Sequence, residues 1–301
     1  MRISNATLRN NVMRNLQLSL RELERTQRQM ASGKAISQPS DSPVGIAKLL
    51  GVNSVLAESS QLQINVRDGL AWLNLTDTTL DTVGEAFHRA RELALAGANG
   101  TMPQEARAYN ATEVDQLLRH VVALANTSLD GTRSIFGGAH HGGVPFVVSV
   151  RPDGLVDTIN PASSDAGQGV VNYEIIRGID MQVNTEGYDL FFDGGLFDSL
   201  LAVRDGLLGT GDLQTALANL DAAFNTLLDE RAVVGARHNR LQMTEQRYEA
   251  QHVTLTELKS QIEDIDMAEA IMNFNTREHV YQAALAAGAR VMQPTLLDYL
   301  R

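Results

Sequence analysis

The chain of 301 residues has a formal net charge of −11, no cysteine and only 5% aromatic residues. The acidic balance argues against nucleic acid as the main partner, because a phosphate-binding face needs a concentrated basic excess. No disulfide framework or thiolate site is possible, and 24 glycines with so few aromatics suit close helix packing better than a thick aromatic core.

The first arm, "MRISNATLRNNVMRNLQLSLRELERTQRQM", has no uninterrupted apolar stretch followed by a small-residue cleavage pattern, so export by an ordinary signal peptide is not expected. No window of the chain reaches the roughly 18 apolar residues of a membrane span, so no insertion into lipid is expected. Met13, Leu16, Leu20, Leu23, Gln27 and Met30 alternate spacings of three and four, a heptad seam with one polar interruption. Such a seam packs either on its own chain or on another copy, and no intrachain core is evident for it. Gly33 is a C-terminal stop, and Ser42 before Pro43 forms a cap and first helical residue, with Asp41 as a competing cap.

Beyond Pro43 two heptad rows predict a long helix. One runs Val52, Ser59, Val66, Leu73, Leu80, Phe87, Ala94, and the thinner one runs Val55, Leu62, Gly69, Thr76, Val83, Ala90, Gly97. "AGANGTMPQEAR" marks a turn, and a further helix follows through Val114, Leu117, Val121 and Leu124 to about Ile135. From Gly137 to Leu200 the pattern changes: "RPDG" between "VPFVVSV" and "LVDTI" predicts a hairpin turning at Asp153-Gly154. "VVNYEIIRGIDMQVNTEGYDLFF" predicts more short strands, broken at Arg177-Gly178 and Glu186-Gly187, with "PASSDAGQG" as a loop. On the return arm Leu220, Leu227, Val234, Leu241, Tyr248, Leu255 and Ile262 recur every seven residues. A helix from about Leu213 to Ile265 would be near 80 Å long at about 1.5 Å per residue, which predicts an elongated, mainly α bundle.

These elements predict terminal helical assembly segments over 1–42 and 266–301, a discontinuous bundle over 43–138 and 201–265, and an inserted β-rich domain over 139–200. The terminal segments, helical over about 4–32 and 268–293, would form at best a marginal hairpin alone, and neighbouring copies could supply the missing contacts. No reactive constellation stands out. His140-His141 lies between glycine pairs with no ligand-like spacing to the other histidines. Glu263, Asp264 and Asp266 point different ways round a helix, as on a solvated face. Nucleotide, metalloprotease and serine-hydrolase motifs are absent. The chain is therefore expected to be no enzyme and to hold no metal or cofactor.

Several stretches resemble the flagellin superfamily, and within it the hook-associated protein 3 group of the hook–filament junction. They are the opening through "SGK" and "PSDSPVG", "RSIFGG" at Arg133–Gly138 with the following Pro145-Phe146, "VNTEGYDLF" at Val183–Phe191, and the carboxyl stretch "IEDIDMAEAIMNFNTREHVYQAALAAGARVMQPTLLDYLR". Two positions depart from the pattern: Ser42 stands where the family more often has a second Asp, and Leu297 where Phe is common. The resemblance implies terminal helices forming an inner tubular layer, a surrounding bundle layer and an outer sheet domain. It also implies type III flagellar export, an export chaperone on the C-terminal segment, ring-like self-assembly outside the cell, and contacts with hook-associated protein 1 and flagellin. On that reading the assembly-interface candidates are Met13, Leu16, Leu20, Leu23, Met30, Lys34 and Asp41, with Ile271, Met272, Val280, Leu285, Val291 and Leu297 at the other end. For Lys34 and Asp41, an exposed lysine and a helix cap are equally good readings. Flagellin itself, or a coiled-coil adhesin or secretion-tip protein, is the alternative function.

Overall fold

The computed structural model describes residues 5–99, 102–138 and 143–292. Among them are six α-helices: α1 (Asn5–Ser32), α2 (Pro43–Ala98), α3 (Gln104–Ala125), α4 (Leu196–Leu208), α5 (Leu213–Glu263) and α6 (Met267–Met292). Two antiparallel hairpins lie between α3 and α4: β1 (Phe146–Val150) with β2 (Val156–Pro161), and β3 (Asn172–Ile176) with β4 (Ile179–Gln182). The fold is thus mainly α with a small β-rich insertion. The chain divides into two compact units, 59–249 and 1–58 with 250–301.

In the unit 59–249 the predicted heptad rows are the core. Val66, Leu73, Leu80, Phe87 and Ala94 of α2 are buried, as are Leu220, Leu227, Val234, Leu241 and Tyr248 of α5. Each such Val, Leu or Phe contributes about 1.5–3 kcal/mol by leaving water. The thin row has a steric reason at Gly69, where a Cβ would lie 2.9 Å from Leu241 Cδ1 and 3.1 Å from Val183 Cγ1. Close approach there offsets the roughly 1 kcal/mol that glycine costs a helix.

Two elements differ from the sequence reading. α3 ends at Ala125 rather than near Ile135, because the Asn126 side chain pairs with the backbone of Phe146, donating from Nδ2 to its carbonyl (2.8 Å) and accepting its N–H (2.9 Å). The loop that follows is held by Asp130, which accepts the backbone N–H groups of Thr132 and Arg133, and it carries Ile135 and Phe136 inward as fully buried anchors. Tyr188–Phe192, expected as strand, instead enters a short π-helical turn at Asp189–Asp193 and leads through Gly194-Gly195 into α4. An apolar run of five or six residues cannot by periodicity alone be told from a helical turn. Here the rings decide it: Phe191 stacks on Phe197 at 5.0 Å and meets Phe136 edge-on at 5.1 Å. The "RPDG" hairpin forms as predicted, with Gly154 in the left-handed region at φ 85°.

A buried ionic cluster ties the first hairpin to α3 and α4. Asp115 on α3 accepts the N–H of Val156 (2.8 Å), Arg204 on α4 donates to the Val156 carbonyl, and Arg204 Nη1 lies 3.2 Å from Asp115 Oδ1. The two side chains satisfy both backbone groups of one strand residue, as a neighbouring strand would.

Candidate assembly surface

The unit formed by 1–58 and 250–301 contains an antiparallel helical hairpin of α1 on α6. Val12, Leu16, Ser19, Leu23, Thr26 and Met30 turn inward on α1, opposite Ala270, Phe274, Arg277, Tyr281, Ala284 and Gly288 on α6. Only Thr26, Ala270 and Gly288 of these twelve are fully buried, so the contact is narrow. At Gly288 an added Cβ would stand 3.1 Å from Val12 Cγ1 and 3.3 Å from Leu16 Cδ1. Gly288→Leu is expected to force the helices apart and cost the hairpin about 1–3 kcal/mol, seen as loss of helical ellipticity at lower temperature with the unit 59–249 still melting as before.

The seam read from the sequence therefore splits. Leu16, Leu23 and Met30 lie on the intrachain contact, whereas Met13 and Leu20 are 47% and 39% exposed on the adjoining edge of α1. Sequence reasoning missed the row through Val12, Ser19 and Thr26, since its middle and last members are polar; the only signal was their seven-residue spacing. On α6, Ile271, Met272, Val280 and Leu285 are 44%, 63%, 54% and 44% exposed. At about 100° per residue, Ile271 and Leu285 share one flank of the contact row with Met267, Val280 lies on the other flank, and Met272 faces away. Val291 falls in the last turn of α6 with its side chain outside the described set, and Leu297 lies outside the described residues, as do His140 and His141.

The joint between α1 and α2 is organised by intrachain polar contacts. Gly33 ends α1 at φ 70°, and a short antiparallel bridge follows in which Ala35 N–H donates to the Glu263 carbonyl (2.7 Å) and Ile265 N–H to the Gly33 carbonyl (3.1 Å). Lys34 pairs its ammonium with the carboxylate of Glu263, and that hydrogen bond holds the lysine above its ordinary pKa. Ser42 is the cap of α2, accepting the Gly45 N–H at 3.1 Å. Asp41 instead accepts the N–H groups of Ser37 (3.1 Å) and Gln38 (3.0 Å) and faces Arg25 at 3.4 Å.

Burial pushes the Asp41 carboxyl up, but the bonds from Ser37 and Gln38, with Arg25 beside them, outweigh it and leave the group below the usual carboxylate range. A carboxylate lowered on folding stabilises fully above its unfolded pKa, and that contribution is lost as pH falls through the lower folded value. Amide exchange at Ser37 and Gln38 should accordingly accelerate, relative to intrinsic rates, only at pH below about 4, and Asp41→Asn should remove that step.

Among the described residues no group of three or more His, Asp or Glu is placed to hold a metal, and no helix is long and apolar enough to cross a membrane. This unit exposes apolar side chains on both sides of a narrow hairpin.

Residues 3–140 match the model of the bacterial flagellin N-terminal helical region, and residues 217–300 that of the bacterial flagellin C-terminal helical region. The chain belongs to the flagellin family. This is a family of structural proteins of the flagellum. A flagellin of Halalkalibacterium halodurans is 22% identical over 97% of this chain and 96% of its own length. Flagellar hook-associated protein 3 of Escherichia coli K12 is 24% identical over 95% of this chain and 96% of its own length. Among solved structures, the flagellar junction protein FlgL from Legionella pneumophila superposes with a TM-score of 0.57 at 14% identity, covering 73% of this chain and 99% of that one, a likeness of fold. The family models cover α1 to α3 and most of α5 and α6, and leave out the segment that holds both β hairpins and α4.

Proposed function

We propose that this flagellin-family chain is the junction protein that joins the flagellar hook to the filament, a structural adaptor and not an enzyme. It assembles as a ring of copies, with hook-associated protein 1 on one side and flagellin on the other. It reaches that place outside the cell through the flagellar type III apparatus, with an export chaperone on its C-terminal segment. The observation that carries this reading is the terminal hairpin, whose apolar edges, Met13 and Leu20 on α1 and Ile271, Val280 and Leu285 on α6, are left 39–54% exposed in the single chain. A hairpin with so little buried area is weak alone and gains stability by covering those edges against neighbours. The full-length similarity to hook-associated protein 3 is compatible with the junction role, and the "TLLDYLR" ending, which resembles that group rather than flagellin, favours it over the filament itself.

The full-length similarity to a flagellin supports a second reading, in which the chain is a filament subunit. Deleting the gene and restoring it separates the two. A junction protein leaves hooks in place and flagellin secreted into the medium when it is lost, with filaments returning on complementation. Long homopolymers of the purified chain, or wild-type filaments in the deletion strain, contradict the junction role.

A further inference from the structure

The side of α1 that faces away from α6 is rich in arginine, with Glu24 the exposed carboxylate on its flank. Arg14, Arg21 and Arg28 recur every seven residues, are all exposed, and have no ion pair or hydrogen bond among the described residues, in a chain whose net charge is −11. Leu18, 52% exposed, lies on the same side between the first two. By contrast Arg25 is engaged with Asp41, and Arg277 with Glu22.

The same unit carries the complementary pattern. At the end of α5, Val253 (66% exposed) and Glu257 lie about 40° apart around the helix, and Asp264, the first residue beyond α5 and bridged to Lys34, keeps its carboxylate on the same side through the Ser260 hydroxyl. Asp264 donates its N–H to the Ser260 carbonyl, its carboxylate accepts the Ser260 hydroxyl at 2.5 Å, and the Lys34 ammonium is near enough to feel its charge. Glu257 is exposed with no partner among the described residues. Seven residues separate Glu257 from Asp264, as they separate successive arginines of the α1 row, about 10.5 Å in each case. Each face also presents one exposed aliphatic residue beside its charges.

We propose that the arginine face of α1 docks on the Val253–Asp264 face of α5 in a second copy of this chain, Leu18 meeting Val253 and two of the three arginines pairing with Glu257 and Asp264. The inference rests on the self-assembly proposed above and names the contact that fixes its register. Charges at such a contact set orientation and suppress wrong pairings more than they add affinity, which suits a chain whose apolar edges alone are unselective.

The chain has no cysteine, so engineered thiols report the contact cleanly. Full-length Leu18→Cys and Val253→Cys proteins, mixed and oxidised under assembly conditions, should form a crosslinked dimer at least tenfold faster than Leu18→Cys mixed with Met243→Cys. Arg21→Glu and Glu257→Arg should each weaken self-association tenfold or more by sedimentation, and their equimolar mixture should recover most of it. Association that proceeds with no selective crosslink and no rescue overturns the docking mode and leaves the assembly reading standing. No association of the unmodified chain at any concentration overturns both. Arg21→Glu that abolishes binding to phosphatidylglycerol vesicles while leaving self-association unchanged also overturns the docking mode.

Discussion

Arg204→Ala should lower the stability of the unit 59–249 by about 3–5 kcal/mol, the cost of leaving one member of a buried ion pair without its partner. The Arg204 side chain is fully buried and that of Asp115 nearly so. Removing the guanidinium leaves the buried Asp115 carboxylate with only Val156 N–H and the partly exposed Arg119, takes the partner from Asp205, and leaves the Val156 carbonyl without its donor. Asp115→Ala should cost a comparable amount from the opposite side of the pair. The double replacement Arg204→Met with Asp115→Leu should be milder than either single change, because the charges that lose a partner, Arg119 and Asp205, are about one-third exposed and no fully buried charge is left unpaired. Urea unfolding followed by the single Trp72, buried in this unit, reads all three. If Arg204→Ala costs less than about 1 kcal/mol, the cluster is not the clamp inferred for the hairpin.

Leu20→Asp combined with Ile271→Asp should leave that unfolding transition unchanged and weaken self-association by about a hundredfold or more, since covering one aliphatic side chain is worth about 1.5–3 kcal/mol. Both side chains are exposed in the single chain, at 39% and 44%, so a charge there meets water until a neighbour arrives. Leu16→Asp is the contrast. Leu16 reaches toward Gly288 inside the hairpin, and its replacement should reduce monomer helicity together with assembly. Equal loss of helicity in the double variant and in Leu16→Asp would show that the edges are not separable from the intrachain contact.

The helices were legible because their cores are heptad rows. Leu220 to Tyr248 on α5 and Val66 to Ala94 on α2 can be read from spacing alone, and the stops at Gly33 and Pro43 follow from backbone chemistry that acts locally. Three features were not legible, each because its cause is distant in sequence. α3 stops at Ala125 because Asn126 finds Phe146, and α4 with the turn before it is specified by rings contributed by Phe136 and Phe146. The Asp115–Arg204 pair joins residues whose spacing carries no pattern. On the terminal hairpin the period of α1 was legible but the assignment of faces was not. A seam with alternating spacings of three and four spans about 100° of helix, and only the position of α6 decides that Leu16 and Leu23 turn inward while Met13 and Leu20 stay outside.

If the terminal hairpin completes its packing only on other copies, hydrogen exchange of the full chain, dilute and assembled, will show it. Such packing implies weak protection over residues 8–30 and 267–290 in the dilute chain and a large gain on assembly, with α3 equally protected in both. Strong protection of residues 8–30 in the dilute chain, or assembly without any gain there, would contradict it.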